Sequence, residues 1–283
     1  MAQPLNPNQR VDNLKTNSNN IPEVSQIVCV ADTGVLNVTS ITTVADSGGS
    51  LNNKYFTFKT AADAHKYYVW YNINAAGVDP AVANHTGIEV AGATNATAST
   101  LGGATRTAIS NSAAGSYVTV TGATSSVVIT NQSTGTSTAA ADGAAATGFT
   151  ITTSTAGVAS NLNSKYFSFQ DAVGDTYYAW FNVHSEGVDP APASQTGVEV
   201  AISLSASAAT IATALASAVD GQASFLAVSD GAMVQITNAA IGSAVDIVDG
   251  DSGLTLATHL QGQSGRYRAD QNLASINNNP VAF

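Results

Sequence analysis

Short stretches in which apolar and polar residues alternate give the first structural signal in this chain. In three of them Val, Leu, Ile or Phe alternates with Thr, at residues 32–43, 146–155 and 251–260. A period of two places successive side chains on opposite faces of an extended backbone, so each stretch predicts a half-buried β-strand. Because the stretches bracket two larger segments, we expect the middle one to close one module and lead into the next.

The two larger segments are copies of one another. Residues 51–90 and 162–200 share the patterns LNxKYF, YYxW and GVDP, and Trp70 and Trp180 occupy the same place in each copy. The apolar pattern predicts three strands in each copy, at residues 54–58, 67–73 and 86–90 and at residues 165–169, 177–183 and 196–202. The Asp-Pro dipeptide predicts a turn before the third strand, because proline and its preceding residue disfavour helix. The repeat therefore predicts two modules of one fold.

A helical pattern follows the third strand of each copy. Residues 205–220 place four apolar residues on one face of a helix, with Ser205 or Ser207 as the N-cap: Ala208, Ile211, Leu215 and Val219. The first copy carries Gly102 and Gly103 in the matching segment. An interior glycine costs up to about 1 kcal/mol relative to alanine. We therefore expect the first helix to be shorter or more irregular than the second.

The predicted fold class is mainly β (α+β), because a hairpin follows each helix, at residues 117–130 and 225–237. Each of the two tandem modules has the order β-β-β-α-β-β-β and forms a β-sandwich or barrel-like sheet with one helix. The predicted divisions are an extended N-terminal arm at 1–33, module 1 at 34–147, module 2 at 148–260 and a C-terminal tail at 261–283. Both ends are polar and rich in Asn, which predicts that neither has a core of its own.

Composition narrows the classes of function. Only 10% of the 283 residues are charged, and a surface of Ala, Thr, Ser, Gly and Asn suits burial in an extensive assembly, although a neutral soluble protein is the alternative. Residues 148–260 carry −9 of the net charge of −10, with no basic side chain between Lys165 and Arg266. Nucleic-acid binding requires clustered Lys and Arg, so we expect no sequence-specific nucleic-acid partner.

Other broad classes are excluded by what the sequence lacks. A single cysteine, Cys29, allows neither an intrachain disulfide nor a cysteine-based zinc site. Nowhere do 18 apolar residues run together, so no membrane span or membrane partner is expected. The N-terminus MAQPLNPNQR has no apolar core of the kind found in signal peptides.

The residues that carry chemistry form no recognisable catalytic pattern. The sequence has no GxSxG, HExxH or phosphate-loop motif. Four histidines are present, none is duplicated, and none has metal-ligand spacing to another: His65, His85, His184 and His259. We therefore expect no enzyme activity and no catalytic, cofactor-binding or metal-binding residues.

Acidic residues provide the two remaining candidate sites. One is an oxygen-rich turn of the kind that holds calcium, formed by Asp246, Asp249 and Asp251. A solvated turn is favoured there, and the sequence leaves open whether these residues hold a calcium ion. The other is a set of duplicated carboxylates of the type used in acid–base hydrolysis, namely Asp79 with Asp189 and Glu89 with Glu199. Each lies within its own copy of a repeated scaffold, which favours a structural role.

The repeated pattern resembles a module of structural proteins from tailed bacteriophages. The residues that carry the resemblance are KYFTF, YYVWYNI, GVDP and TGIEVA, then an Ala/Thr-rich helix, then ITN, ADG and TGFTI. It covers residues 34–260 and implies a non-enzymatic structural protein located in the virion. It also implies a homo-oligomer, a trimer or ring, that contacts other virion proteins through the arm and tail.

Two positions in the virion compete under this resemblance. A tail-tube subunit is slightly favoured, because duplicated modules would let three chains form a pseudo-sixfold ring, and the acidic second module would suit a lumen that DNA crosses without binding. The alternative is a capsid decoration protein or head fibre. A repeat-containing bacterial surface adhesin is a further alternative.

Overall fold

The computed structural model of this chain describes residues 21–263. The first 20 residues of the predicted arm and residues 264–283 of the predicted tail therefore lie outside the described residues. The described chain forms two compact units. We call residues 32–161 the continuous unit, and residues 21–31 together with 162–263 the discontinuous unit. The fold is mainly β with one α-helix in each unit, which confirms the predicted α+β class.

The continuous unit consists of two four-stranded sheets and one helix around a single core. Strand β1 (Val24–Val28) belongs to the discontinuous unit, and the eight strands that follow it are β2 (Leu36–Thr42), β3 (Tyr55–Lys59), β4 (Lys66–Ile73), β5 (Thr86–Gly92), β6 (Val118–Thr121), β7 (Ser126–Thr134), β8 (Ala141–Asp142) and β9 (Thr150–Thr155). Helix α1 (Ala98–Asn111) lies between β5 and β6 in the chain. The sheet orders are β6-β7-β2-β9 and β5-β4-β3-β8. Both sheets and the helix contribute buried side chains to the core, including Phe56, Leu101 and Val127.

The discontinuous unit repeats this arrangement. Its further strands are β10 (Tyr166–Gln170), β11 (Thr176–Val183), β12 (Thr196–Ile202), β13 (Phe225–Asp230), β14 (Met233–Asn238), β15 (Val248–Asp249) and β16 (Thr255–Leu260). Helix α2 (Ala208–Asp220) lies between β12 and β13 in the chain. The sheet orders are β13-β14-β1-β16 and β12-β11-β10-β15. Each unit thus adds a leading strand and a two-residue strand to the predicted order.

Strand β1 lies in the middle of a sheet formed otherwise by the last third of the chain. It pairs antiparallel with β14 on one side and β16 on the other, so Ile27 lies opposite both Val234 and Leu256. Ile27 is completely buried. In the continuous unit β2 occupies the same place, between β7 and β9. Residues 21–29 are therefore the structural counterpart of residues 35–43.

The compact units consequently differ in extent from the predicted modules. The middle Thr-rich stretch, β9, pairs with β2 and closes the continuous unit. The leading strand of the other unit is β1 rather than β9, because residues 21–30 repeat the apolar pattern of residues 35–44 and fit the equivalent position in the sheet. The chain divides after residues 31 and 161, whereas the sequence predicted divisions after residues 33 and 147. Part of the predicted arm, residues 24–28, is a central strand.

The two helices are equally regular, so the expectation of a shorter first helix was wrong. Helix α1 has 14 residues and α2 has 13, and both begin at a side-chain cap, Thr97 or Ser207. A Cβ atom at Gly102 would lie only 2.5 Å from the carbonyl oxygen of Thr124. The glycine therefore lets the helix pack closely against the β6–β7 turn, and this packing offsets its low helix propensity.

Two strands of each unit are parallel although no helix connects them. Strand β4 pairs in parallel with β5, and β11 with β12. The connections, residues 74–85 and 184–195, are loops that contain the predicted Asp-Pro turns. Parallel strands need a long crossover connection, so this loop must hold its own shape without a helix.

Candidate functional site

The crossover loop of each unit is held by a tyrosine–aspartate hydrogen bond. Tyr68 donates its hydroxyl proton to Asp79 Oδ1 at 2.5 Å, and the same oxygen accepts the backbone N–H of Ala81 at 2.8 Å. The discontinuous unit repeats this arrangement with Tyr178 and Asp189, at 2.7 Å between the hydroxyl and the carboxylate. Burial and the neighbouring aspartate raise the pKa of each tyrosine to about 12. Both aspartates therefore act as loop anchors.

A second anchor links the loop to the third strand. Asn72 donates from Nδ2 to Glu89 Oε1 at 2.6 Å, while its Oδ1 accepts the backbone N–H of Gly77 at 2.9 Å. Asn182 and Glu199 form the same contacts in the discontinuous unit. The duplicated carboxylates are thus divided between two anchors in each unit, which agrees with the structural role favoured from the sequence.

The anchored loop presents an apolar side chain to solvent. Val78 is 71% exposed and Val188 is 74% exposed, although each lies between well-ordered hydrogen bonds. The loops also hold several non-glycine residues at positive φ, at equivalent positions in the two units: Asn74, Ala75, Ala81 and Asn84, and His184, Ser185, Ala191 and Ser194. Such conformations persist where the surroundings fix them. The loop therefore presents an exposed valine on a hydrogen-bonded backbone of fixed conformation, once in each unit.

The three aspartates of the oxygen-rich turn, for which the sequence favoured a solvated turn over a calcium site, each make separate contacts. Asp249 accepts from the backbone N–H of Ser252 at 2.8 Å, and Asp251 forms an ion pair with Lys165 at 2.9 Å. Asp246 accepts from the hydroxyl of Thr258 at 2.9 Å. Within residues 21–263 no three His, Cys, Asp or Glu side chains form a group suited to a metal ion. These three carboxylates fix the loop before β16.

The histidines and the cysteine lie in unrelated environments. His65 stacks on Tyr117 with ring centroids 3.9 Å apart, and His85 Nδ1 lies 2.9 Å from a backbone carbonyl of its own loop. His184 begins the second crossover loop, and His259 lies on the outermost strand, β16. Cys29 is buried, and this burial raises the pKa of its thiol to about 11. A thiol with so high a pKa is a poor nucleophile.

Charge is the largest difference between the two units. The continuous unit carries six acidic and four basic side chains. The described part of the discontinuous unit carries one lysine, Lys165, against eleven acidic residues: Glu23, Asp171, Asp175, Glu186, Asp189, Glu199, Asp220, Asp230, Asp246, Asp249 and Asp251. These lie at several positions around the unit, since Asp175 precedes β11 and Asp189 follows it. Equivalent folds thus carry net charges of −2 and −10.

The two units also differ in charge at a surface cleft of about 350 Å³ in the discontinuous unit. It runs beside β10, and its lining includes Gln170, Thr176 and Gln195. At the equivalent positions the continuous unit has Lys59, Lys66 and His85. Asp246 also lines the cleft, so the edge that carries two lysines and a histidine in the continuous unit carries uncharged side chains and a carboxylate in the discontinuous unit.

Comparison with known proteins identifies no relative, since no protein-family model, no curated protein and no solved structure matches this chain. Among the described helices, neither has the length and apolar character needed to cross a bilayer.

Proposed function

We propose that this chain is a non-enzymatic structural subunit of a tailed-bacteriophage virion, and that it assembles into rings of the tail-tube type. The observation that carries the proposal is the charge contrast between two units of one fold, −2 against −10. A packing requirement common to both units would not produce such a contrast, because their cores and crossover loops are nearly the same. An acidic surface repels DNA phosphates, which suits the wall of a channel that DNA must cross.

Two further features support an assembly role. The chain contains two copies of one fold, so a ring of three chains would present six equivalent units. Each unit also displays the anchored loop with its exposed valine, Val78 or Val188. Repeated units with equivalent contact surfaces suit cyclic assembly.

Negative-stain electron microscopy of the purified full chain tests this proposal. Tubes or stacked rings support a tail-type subunit. Isolated oligomers that bind expanded capsids and never stack would contradict it and favour the decoration protein.

A charge-reversal pair tests the acidic lumen separately. Asp230 is exposed at the β13–β14 turn, and Ala123 is its counterpart at the β6–β7 turn. If the discontinuous unit lines the lumen, tubes of Asp230→Lys retain short duplex DNA, and tubes of the control Ala123→Lys do not. Equal retention by both variants would contradict an acidic lumen formed by this unit.

The decoration role has one observation in its favour. Ile21 and Gln263 exchange backbone hydrogen bonds of 3.1 and 2.8 Å. Ile21 and Gln263 therefore lie side by side on the discontinuous unit. If the predicted arm and tail grip a shell, deletion of residues 264–283 abolishes capsid binding.

A further inference from the structure

The solvent-facing side of the sheet β13-β14-β1-β16 is unusually apolar. Leu226 and Val228 on β13 are 58% and 54% exposed, and Val28 on β1 is 43% exposed. Met233 lies directly opposite Val28 in the register and faces the same side. We call the surface formed by these four residues the aliphatic face.

The continuous unit provides a matched comparison. Leu226 lies opposite Thr237, just as Thr119 lies opposite Thr130, so the two sheets can be compared position by position. The four positions of the aliphatic face are occupied in the continuous unit by Thr119, Thr121, Ser126 and Thr42. The fold is therefore compatible with hydroxyl side chains at all four positions. Stability of the unit does not explain why one copy exposes aliphatic side chains there.

The aliphatic face is also nearly uncharged within a strongly acidic unit. Among the outward-facing residues of the four strands, Asp230 at one corner is the only carboxylate. Neighbouring outward positions hold amides and small residues such as Gln26, Gln235 and Ala257. The four apolar side chains are neighbours in the register, from Leu226 through Val228 and Met233 to Val28, and a continuous exposed apolar surface is typical of a protein contact.

We propose that the aliphatic face binds the same face of a second copy of this chain. Two units that each carry −10 repel one another, and a face with one carboxylate lets them approach with little repulsion. A basic partner would be attracted to the carboxylates elsewhere on the unit. An added β-strand is also disfavoured, because the edge strand already donates within the unit from Ala227 to Asp220 at 3.2 Å and from Phe225 to Gln222 at 3.1 Å.

The size of the face predicts a weak contact between two isolated copies. The whole outward side of the sheet, with four strands about 4.8 Å apart and about five residues of about 3.3 Å each, covers roughly 300 Å², and the aliphatic face is only part of it. A stable pair usually buries about 800 Å² on each partner. The aliphatic face therefore joins copies weakly in solution and contributes more when other contacts of an assembly hold the copies together. This inference rests on the proposed assembly role.

Sedimentation velocity of the full chain tests the contact. The test variant combines Leu226→Thr with Val228→Thr, which restores the residues of the continuous unit. The control is Val173→Thr, because Val173 is 77% exposed at the β10–β11 turn and lies off the face. Val28→Thr provides a second test variant, and unchanged Trp180 emission verifies that each variant folds.

Salt distinguishes the proposed contact from a charge-driven one. We expect the wild-type mass to rise above 28.5 kDa with concentration, and to rise further in about 0.5 M NaCl because salt screens the repulsion between like charges. The double variant weakens association at least about tenfold, which corresponds to about 1.4 kcal/mol, and the control associates like the wild type. Undiminished association of both test variants, association that weakens with salt, or a wild-type monomer at every concentration would overturn the inference. If the wild type pairs but forms no tubes or rings, the tail-type function is refuted and the inference about the aliphatic face is unaffected.

Discussion

Ile27→Ala is expected to destabilise the discontinuous unit and leave the continuous unit unchanged, although Ile27 precedes the whole continuous unit in sequence. Ile27 is completely buried on the central strand β1, in one core with side chains from α2, β13 and β14. Truncation of a buried isoleucine to alanine costs about 2–5 kcal/mol. With a urea dependence of about 2 kcal/mol per molar, a loss of about 3 kcal/mol lowers the unfolding midpoint by about 1.5 M.

The chain contains the reporters and the matched control that this experiment needs. Trp70 lies in the continuous unit and Trp180 in the discontinuous unit, each 7% exposed. Phenylalanine at one tryptophan position leaves fluorescence from the other unit alone. Ile41 occupies the position of Ile27 in the continuous unit and is 1% exposed, so Ile41→Ala is expected to shift only the Trp70 transition.

Two outcomes would refute this reasoning. If Ile27→Ala shifts the Trp70 transition and leaves the Trp180 transition in place, β1 does not belong to the discontinuous unit. If both transitions shift equally, the two compact units unfold as one cooperative unit, and the membership of β1 in one of them has no separate energetic consequence.

Three further predictions concern the helices and the anchored loops. Gly102→Ala destabilises the continuous unit, because the new Cβ would lie 2.5 Å from the carbonyl oxygen of Thr124. The new Cβ of Gly103→Ala would meet only the flexible end of an arginine side chain, 3.8 Å away. This second variant therefore stabilises the unit by about 0.5–1 kcal/mol, measured by urea unfolding. Ser207→Ala removes the cap of α2 and costs about 1 kcal/mol, measured by the Trp180 transition. Burial, and to a smaller extent the neighbouring Asp189, raises the pKa of Tyr178 in the folded protein to about 12. In the unfolded chain the pKa of a tyrosine is about 10. The free energy of unfolding therefore falls as the pH rises from about 10 to 12. In urea unfolding at alkaline pH, Tyr178→Phe should lack the part of this fall that Tyr178 causes.

Local pattern was sufficient to predict most elements. The serine at position 207 caps α2, and the strands around Trp70 and Trp180 lie close to the predicted positions. These elements depend on side chains a few residues apart, and the repeat allowed each to be identified twice. The direction of pairing depends on distant contacts, which is why the parallel β4–β5 pair could not be recognised from its alternation alone.

The apolar stretch at residues 25–30 predicted the start of a strand, but the pairing of β1 was not predicted, because its partners on β14 are more than 200 residues away in the sequence. A signal was nevertheless present, since IPEVSQIVCV at residues 21–30 matches VLNVTSITTV at residues 35–44 in the spacing of its apolar positions. Proline and polar residues around it favoured an extended arm. A search for further copies of the strand motif, beyond the three that bracket the repeats, would have identified it.

The main features that distinguish the two units lie on the discontinuous unit. It carries the excess negative charge and the aliphatic face, and both described chain ends lie on it, paired at Ile21 and Gln263. None of these features is required by the fold, because the continuous unit forms the same sheets with hydroxyl side chains at the matching positions and with a nearly balanced charge of six acidic and four basic side chains. The crossover loops, by contrast, carry an exposed valine in both units, Val78 and Val188. Under the proposed assembly, the loops therefore suit contacts repeated around a ring, and the discontinuous unit suits contacts made once for each chain.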